Sequence, residues 1–278
     1  MLSKATKLVL TFSLFTFGAC TSKSYQGAEP SPDTVRQVNL AEATKVSELV
    51  VVGVTVEPNS ERVLILDATR GVYALGADET ATLVWGNDLT RYGVSIGSAW
   101  TDIVALEDGV FALTALSDGY LLDLNKDTLT QHFCYEPGWE EEPPPEPVAA
   151  QITDAVTYDA KNNLIYAQPR SVGGDLATVY DSSLALYDRR TGADLVWVDF
   201  DVDYVATAMA MEDEDNILLG RGSLIERYVV GPNRLTRVMD LSAIGVSDIQ
   251  GMAIAPGTGN LLVVDGATAS LVEIVRPL

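Results

Sequence analysis

Gly251-Met252-Ala253-Ile254-Ala255-Pro256 stands near the C-terminal end of this 278-residue chain, and Gly53-Val54-Thr55-Val56-Glu57-Pro58 repeats its pattern near the other end. Eleven residues past each glycine comes a leucine, Leu262 or Leu64, and three residues further an aspartate, Asp265 or Asp67. Shared internal spacing marks a repeated unit: an apolar strand, a turn, a second apolar strand, then a short third. Weaker copies lie between them. They begin at Ile103 to Leu106, Ala155 to Tyr158 and Ala208 to Met211, each followed by a second apolar run. The equivalent residues Val56, Leu106, Tyr158, Met211 and Ile254 recur about every fifty residues, the period of a four-stranded propeller blade.

Fourth strands are expected at Thr82 to Trp85, Leu129 to Phe133, Leu195 to Phe200 and Leu235 to Leu241. The chain stops before the last unit has one. Val35 to Leu40 can supply it from the other end, closing the ring and covering the open sheet edge. The fold expected is therefore all-β: a β-propeller of about five four-stranded blades, with six as the other count, over residues 33–278. A β-sandwich gives no reason for a fifty-residue period. The one helical candidate is Leu40 to Leu49.

The phrase Ser247-Asp248-Ile249-Gln250-Gly251-Met252-Ala253-Ile254, with Gly259-Asn260-Leu261-Leu262-Val263-Val264-Asp265 after it, resembles the blade signature of NHL-repeat, gluconolactonase-like and SdiA-regulated propellers. The likeness is good over the last blade and fair over the first. It implies a fold rather than an activity, because such propellers include hydrolases, lyases and scaffolds. The calcium enzymes of the gluconolactonase type open with a glutamate on the first inner strand, and Val50-Val51-Val52-Gly53-Val54 has none.

The N-terminus decides the expected compartment. Lys4 and Lys7 precede an apolar run from Leu8 to Phe17, and Gly18-Ala19-Cys20 follows, as in a signal peptide spanning residues 1–19. The cut site resembles a bacterial lipobox, with Cys20 as the acylated residue and Phe17 in place of the usual leucine. Residues 20–32 then read as a Ser, Gly and Pro-rich tether. These features imply a lipid-anchored envelope protein. Thr21, where an inner-membrane signal often carries Asp, points to the outer membrane, facing the periplasm or the surface. With Cys20 acylated, Cys134 is left alone and no internal disulfide is expected.

The formal charge is −21, with 39 acidic and 18 basic residues. Such a balance disfavours nucleic acid and anionic lipid surfaces as partners and leaves an envelope protein or a small molecule. Gly93-Val94-Ser95-Ile96-Gly97 matches the nucleophile-elbow expression. However, it precedes no helix, and the sole histidine, His132, falls on an expected outer strand. One histidine and one spare cysteine do not make a zinc or copper site, whereas calcium needs only oxygen ligands. Asp102, Asp154 and Asp248, each behind a Ser or Thr ahead of a first strand, are candidates to meet at the channel mouth and hold calcium. The alternative is that each accepts backbone N–H groups in its turn. Asp199, Asp201 and Asp203 alternate along a strand end, and 140–147 is an acidic, proline-rich spacer.

Connections from fourth to first strands and from second to third strands emerge on one rim of a propeller. The long ones here, Gly86 to Thr101, Glu136 to Gln151 and Gln168 to Ser182, therefore share a face. On and beside them lie Arg91, Tyr92, Trp100, Trp139, Arg170 and Tyr180, residue types enriched in binding hot spots. The sequence thus describes a binding or scaffold propeller without a catalytic residue, with a calcium-dependent hydrolase as the alternative.

Overall fold

The computed structural model describes residues 32–94, 99–116, 118–134, 150–172, 179–199 and 204–276. They form five four-stranded antiparallel sheets. The first blade comprises β2 (Val51–Val56), β3 (Val63–Asp67), β4 (Gly71–Leu75) and β5 (Ala81–Gly86). The second comprises β6 (Asp102–Glu107), β7 (Val110–Ala115), β8 (Asp118–Asp123) and β9 (Thr128–Cys134). The third, built of longer strands, comprises β10 (Ala150–Asp159), β11 (Leu164–Val172), β12 (Val179–Asp188) and β13 (Asp194–Asp199). The fourth comprises β14 (Ala208–Met211), β15 (Asn216–Arg221), β16 (Leu224–Val229) and β17 (Arg234–Asp240). In the fifth, β18 (Ile249–Ile254), β19 (Leu261–Asp265) and β20 (Ser270–Ile274) are completed by β1 (Thr34–Asn39), which pairs antiparallel with β20. The N-terminal strand thus closes the ring, reinforced by an Arg36–Glu273 ion pair at 2.8 Å. Each inner strand packs on the next, and β18 packs back on β2.

Both faces of each blade abut a neighbour, so strands such as Leu261–Asp265 are buried along their whole length instead of alternating in and out. The apolar core accordingly lies between the blades. Leu66, Trp85, Trp100, Phe111, Leu113 and Tyr120 fill the wedge between the first two. Val38, Val54, Ile65, Leu262, Val264 and Leu271 join the last blade to the first. Each fully buried side chain of this size contributes about 1.5–3 kcal/mol. Leu40–Leu49 yields only a short helix, α1 (Leu40–Thr44). Asn39 caps it by accepting from the Glu42 amide, and Lys45 ends it in the left-handed conformation at φ 60°.

The residues that spelled the repeat now acquire reasons. A Cβ on Gly251 would sit 2.7 Å from Gly53 Cα and Val54 N, so the first and last inner strands touch backbone to backbone. A Cβ on Gly53 would meet Asp102 Oδ1 at 2.7 Å. Asp67 is fully buried and accepts from the amides of Val50, Thr69 and Arg70. Asp265 does the same for Ser247 and Asp248 and also accepts from Thr268 Oγ1. Each recurring aspartate therefore ties the turn entering its inner strand to the end of the second strand.

Candidate functional site

The inner strands surround a narrow channel of about 110 Å³, lined by residues such as Thr55, Ala105, Thr157, Ala210 and Ala253. An inner strand is a sheet edge, and its outward N–H groups need partners. Side chains of the preceding blade provide them. Thr55 Oγ1 accepts from Ala105 N at 2.7 Å, Thr157 Oγ1 from Met211 N at 2.9 Å, and Asp102 Oδ2 from Val156 N at 2.9 Å. Gln168, fully buried, accepts from Ala206 N at 2.9 Å and donates to Tyr204 O at 3.2 Å. These threonines and the glutamine were not singled out in the sequence. Their role depends on a neighbour some fifty residues away, which no local pattern records.

The three aspartates expected at the channel mouth do not gather. Asp102 is buried and spends one oxygen on Ile103 N at 2.8 Å and the other on Val156 N. Burial pushes its carboxyl well above the usual range, and the two amides offset that only in part. Asp154 sits in the bulge between Thr153 and Ala155, and Arg170 grips it with Nε at 2.5 Å and a second nitrogen at 3.2 Å. Burial raises its carboxyl too, against the pull of Arg170. Asp248 precedes β18 altogether and accepts from Gln250 Nε2 at 2.9 Å. In the last blade the bulge between Ile249 and Gly251 puts Gln250, not Asp248, where Asp154 stands in the third. A bulge adds one residue and re-aims the strand beyond it, so equal sequence motifs do not reach equal places. Among the described residues, no three acidic, His or Cys side chains are grouped to hold a metal ion.

The residues expected on the binding face separate as well. Trp100 must be withdrawn from it: only 1% exposed, it packs edge-on against Trp85 and Tyr120, and its Nε1 donates to Asn87 Oδ1 at 3.0 Å. A large aromatic in a connecting segment reads as an anchor for a partner, but here its partner is the wedge between blades. Arg91 and Tyr92 belong to a 3₁₀ turn, Leu89–Tyr92, that edges an open recess of about 420 Å³ with Trp85, Asp88, Leu124 and Asp127. Tyr92 accepts from Trp85 Nε1 at 3.1 Å and donates to Asp127 at 2.8 Å, while Arg91 pairs with the same aspartate. Arg170 lies apart, at the base of the third blade's extension. Tyr180 is in β12 and its side chain is not among those described. Trp139, Ser95, Asp201, Asp203, residues 140–147 and Cys20 lie outside the described residues. His132 is on β9, with Nε2 2.5 Å from Arg189 O, and Cys134 at the end of that strand is exposed.

What distinguishes one rim is the third blade. β10, β11 and β12 have 10, 9 and 10 residues, where the corresponding strands elsewhere have 4 to 6. Their turn at Asp159–Leu164 is level with the other blades, so the surplus projects from the opposite end as a three-stranded ribbon. Four extra residues at about 3.3 Å each raise it about 13 Å. Ala150 pairs with Val172 and Arg170 with both Ile152 and Ser182, so the ribbon is continuous with the blade, and the Arg170–Asp154 pair braces its root.

No family model matches the chain, and no curated protein matches it. Many solved structures do. The Myxococcus xanthus glutaminyl cyclase is 11% identical, with a TM-score of 0.58 over 88% of this chain and 95% of that one. The extracellular domain of a hybrid two component system from B. thetaiotaomicron gives 11% and 0.47 over 82% of this chain, which spans only 27% of that one. A chain of a mitotic checkpoint complex gives 10% and 0.47 over 98% and 99%. Identities this low show the fold alone. The chain is a five-bladed β-propeller, a fold whose neighbours serve varied functions.

Proposed function

We propose that this chain is an envelope-anchored, non-catalytic binding or scaffold propeller, held to the membrane through an acylated Cys20 and engaging its partner with the rim from which the third blade rises. The projecting ribbon carries the reading, because a recognition element built on strands is positioned more rigidly than one built on a loop. The connections 86–102 and 134–150, the longest between consecutive strands, leave from the same rim as the ribbon. On this rim Arg170 pairs with Asp154, and the Asp248 carboxylate accepts from Gln250 Nε2. Nucleophilic catalysis asks for a nucleophile, a base and an orienting group in hydrogen-bond reach, and these pairings serve stability instead.

Two measurements test the two halves. Wild type is expected in the detergent phase and Cys20→Ala in the aqueous phase; equal partition removes the anchor. A photo-crosslinking residue at Ile152, on the ribbon, should capture a partner in envelope extract, whereas one at exposed Lys161, at the opposite end of the blade, should not. Adducts from Lys161 alone would place recognition on the other face.

A further inference from the structure

At the end of the ring opposite the ribbon, the fourth and fifth blades border an open groove of about 700 Å³ lined by Glu212, Asp213, Asn216, Arg227, Arg234 and Arg276. In a chain with 39 acidic and 18 basic residues, three guanidinium groups here face two carboxylates. Both carboxylates are already engaged. Asp213 accepts from Asn216 Nδ2 at 2.8 and 2.9 Å and from Asp215 N at 2.9 Å. Glu212, its side chain 10% exposed, is held by Arg227 through Nε at 2.5 Å and a second nitrogen at 2.8 Å. That leaves Arg276 only a long contact to Glu212, at 3.9 Å. Arg234, exposed at the start of β17, has no ion pair among the described residues. Two guanidinium forks from adjoining blades therefore open onto the groove with donors to spare.

We propose that this groove is a binding site for a phosphate group. A guanidinium fork matches the oxygen pairs of carboxylate and phosphate alike. Arg234 and Arg276, however, stand on different blades, and a tetrahedral oxyanion offers oxygen pairs in several planes where a carboxylate offers one. The overall negative charge does not forbid this, because charges beyond a Debye length of about 8–10 Å are largely screened. The site goes beyond the anchoring and ribbon reading and lies on the other face. Its phosphate can come from a soluble phosphate ester or from a lipid headgroup.

The test uses the full chain carrying Cys20→Ala, so that no acyl chain contributes, with inorganic phosphate in one arm and phosphatidic acid vesicles against pure phosphatidylcholine in the other. Saturable phosphate binding, seen as a rise in melting temperature and by calorimetry, is expected. Arg234→Ala, at an exposed position, should keep the unliganded melting temperature and weaken binding about tenfold or more, with Arg234→Lys in between. Phosphate binding without vesicle selectivity assigns a soluble ester. Selective co-sedimentation with phosphatidic acid that Arg234→Ala abolishes assigns a headgroup. No saturable binding of either probe, or binding that Arg234→Ala leaves unchanged, overturns the proposal.

Discussion

Asp102 is the residue where a metal-ligand reading and a structural reading of this propeller diverge most sharply, and Asp102→Ala separates them. The substitution leaves the amides of Ile103 and Val156 without their acceptor in a buried place. Each orphaned amide costs about 1–3 kcal/mol, and removing a buried carboxylate returns part of that, so a net loss of about 2–3 kcal/mol is expected. For a domain of this size, that lowers the melting temperature by roughly 4–12 °C. Urea unfolding with and without calcium should give the same difference between wild type and variant, because both oxygens of Asp102 face amides. A difference that grows with calcium would instead make Asp102 a ligand. Gly53 supplies a second handle. In the wild type, Gly53→Ala drives a Cβ to 2.7 Å from Asp102 Oδ1. In Asp102→Ala that obstacle is gone and the nearest remaining contacts are Ile103 Cγ2 at 3.0 Å and Ile103 N at 3.1 Å. The two changes should thus couple by about 1 kcal/mol in a double-mutant cycle. The pH dependence has a definite sign as well. Burial raises the folded-state pKa of Asp102 above its ordinary 3.8, so its contribution is fullest below that value and is lost as pH rises through the folded-state one. The gap between wild type and Asp102→Ala should narrow as pH rises. A gap below about 0.5 kcal/mol, the ordinary range of a surface substitution, would refute the reasoning; a gap that widens with pH would show that the amide bonds outweigh burial.

Gly251→Ala forces a Cβ onto Gly53 and Val54 and should destabilise by about 1–3 kcal/mol in urea unfolding, more than Gly231→Ala, whose Cβ meets open space at an ordinary backbone conformation. Deleting residues 34–39 uncovers the β20 edge and should give early melting and self-association by size-exclusion chromatography, whereas deleting 21–29 should give neither. Glu57 is buried, which raises its carboxyl, but hydrogen bonds from Arg62, Ser60 and Gly109 win and hold it below its ordinary 4.5. Its contribution is therefore present above that value and lost as pH falls through the folded-state one, so Glu57→Gln should flatten acid unfolding curves.

The architecture was legible in the sequence because each blade must bury apolar strands in the same order, and that demand writes Gly53 and Gly251, Leu64 and Leu262, Asp67 and Asp265 at equal spacing. The closing strand was legible for the same reason: the last repeat supplies only three strands, and Val35 to Leu40 at the other end overlaps the β1 that pairs with β20. Side-chain placement was not legible. Trp100 and Arg170 both fall in or beside long connections in the chain, but one fills an interblade wedge and the other braces a ribbon against Asp154. Asp102, Asp154 and Asp248 share a motif, yet bulges at Asp154 and Gln250 send equivalent residues to different partners. The threonine and glutamine stitches between blades, and the approach of Arg276 to the Arg227–Glu212 pair of the fourth blade, join residues that only the packed ring brings together. Strand order follows from local periodicity, which one sequence records. Which side chains face one another follows from the twist and register of neighbouring sheets, and those exist only once the ring has closed.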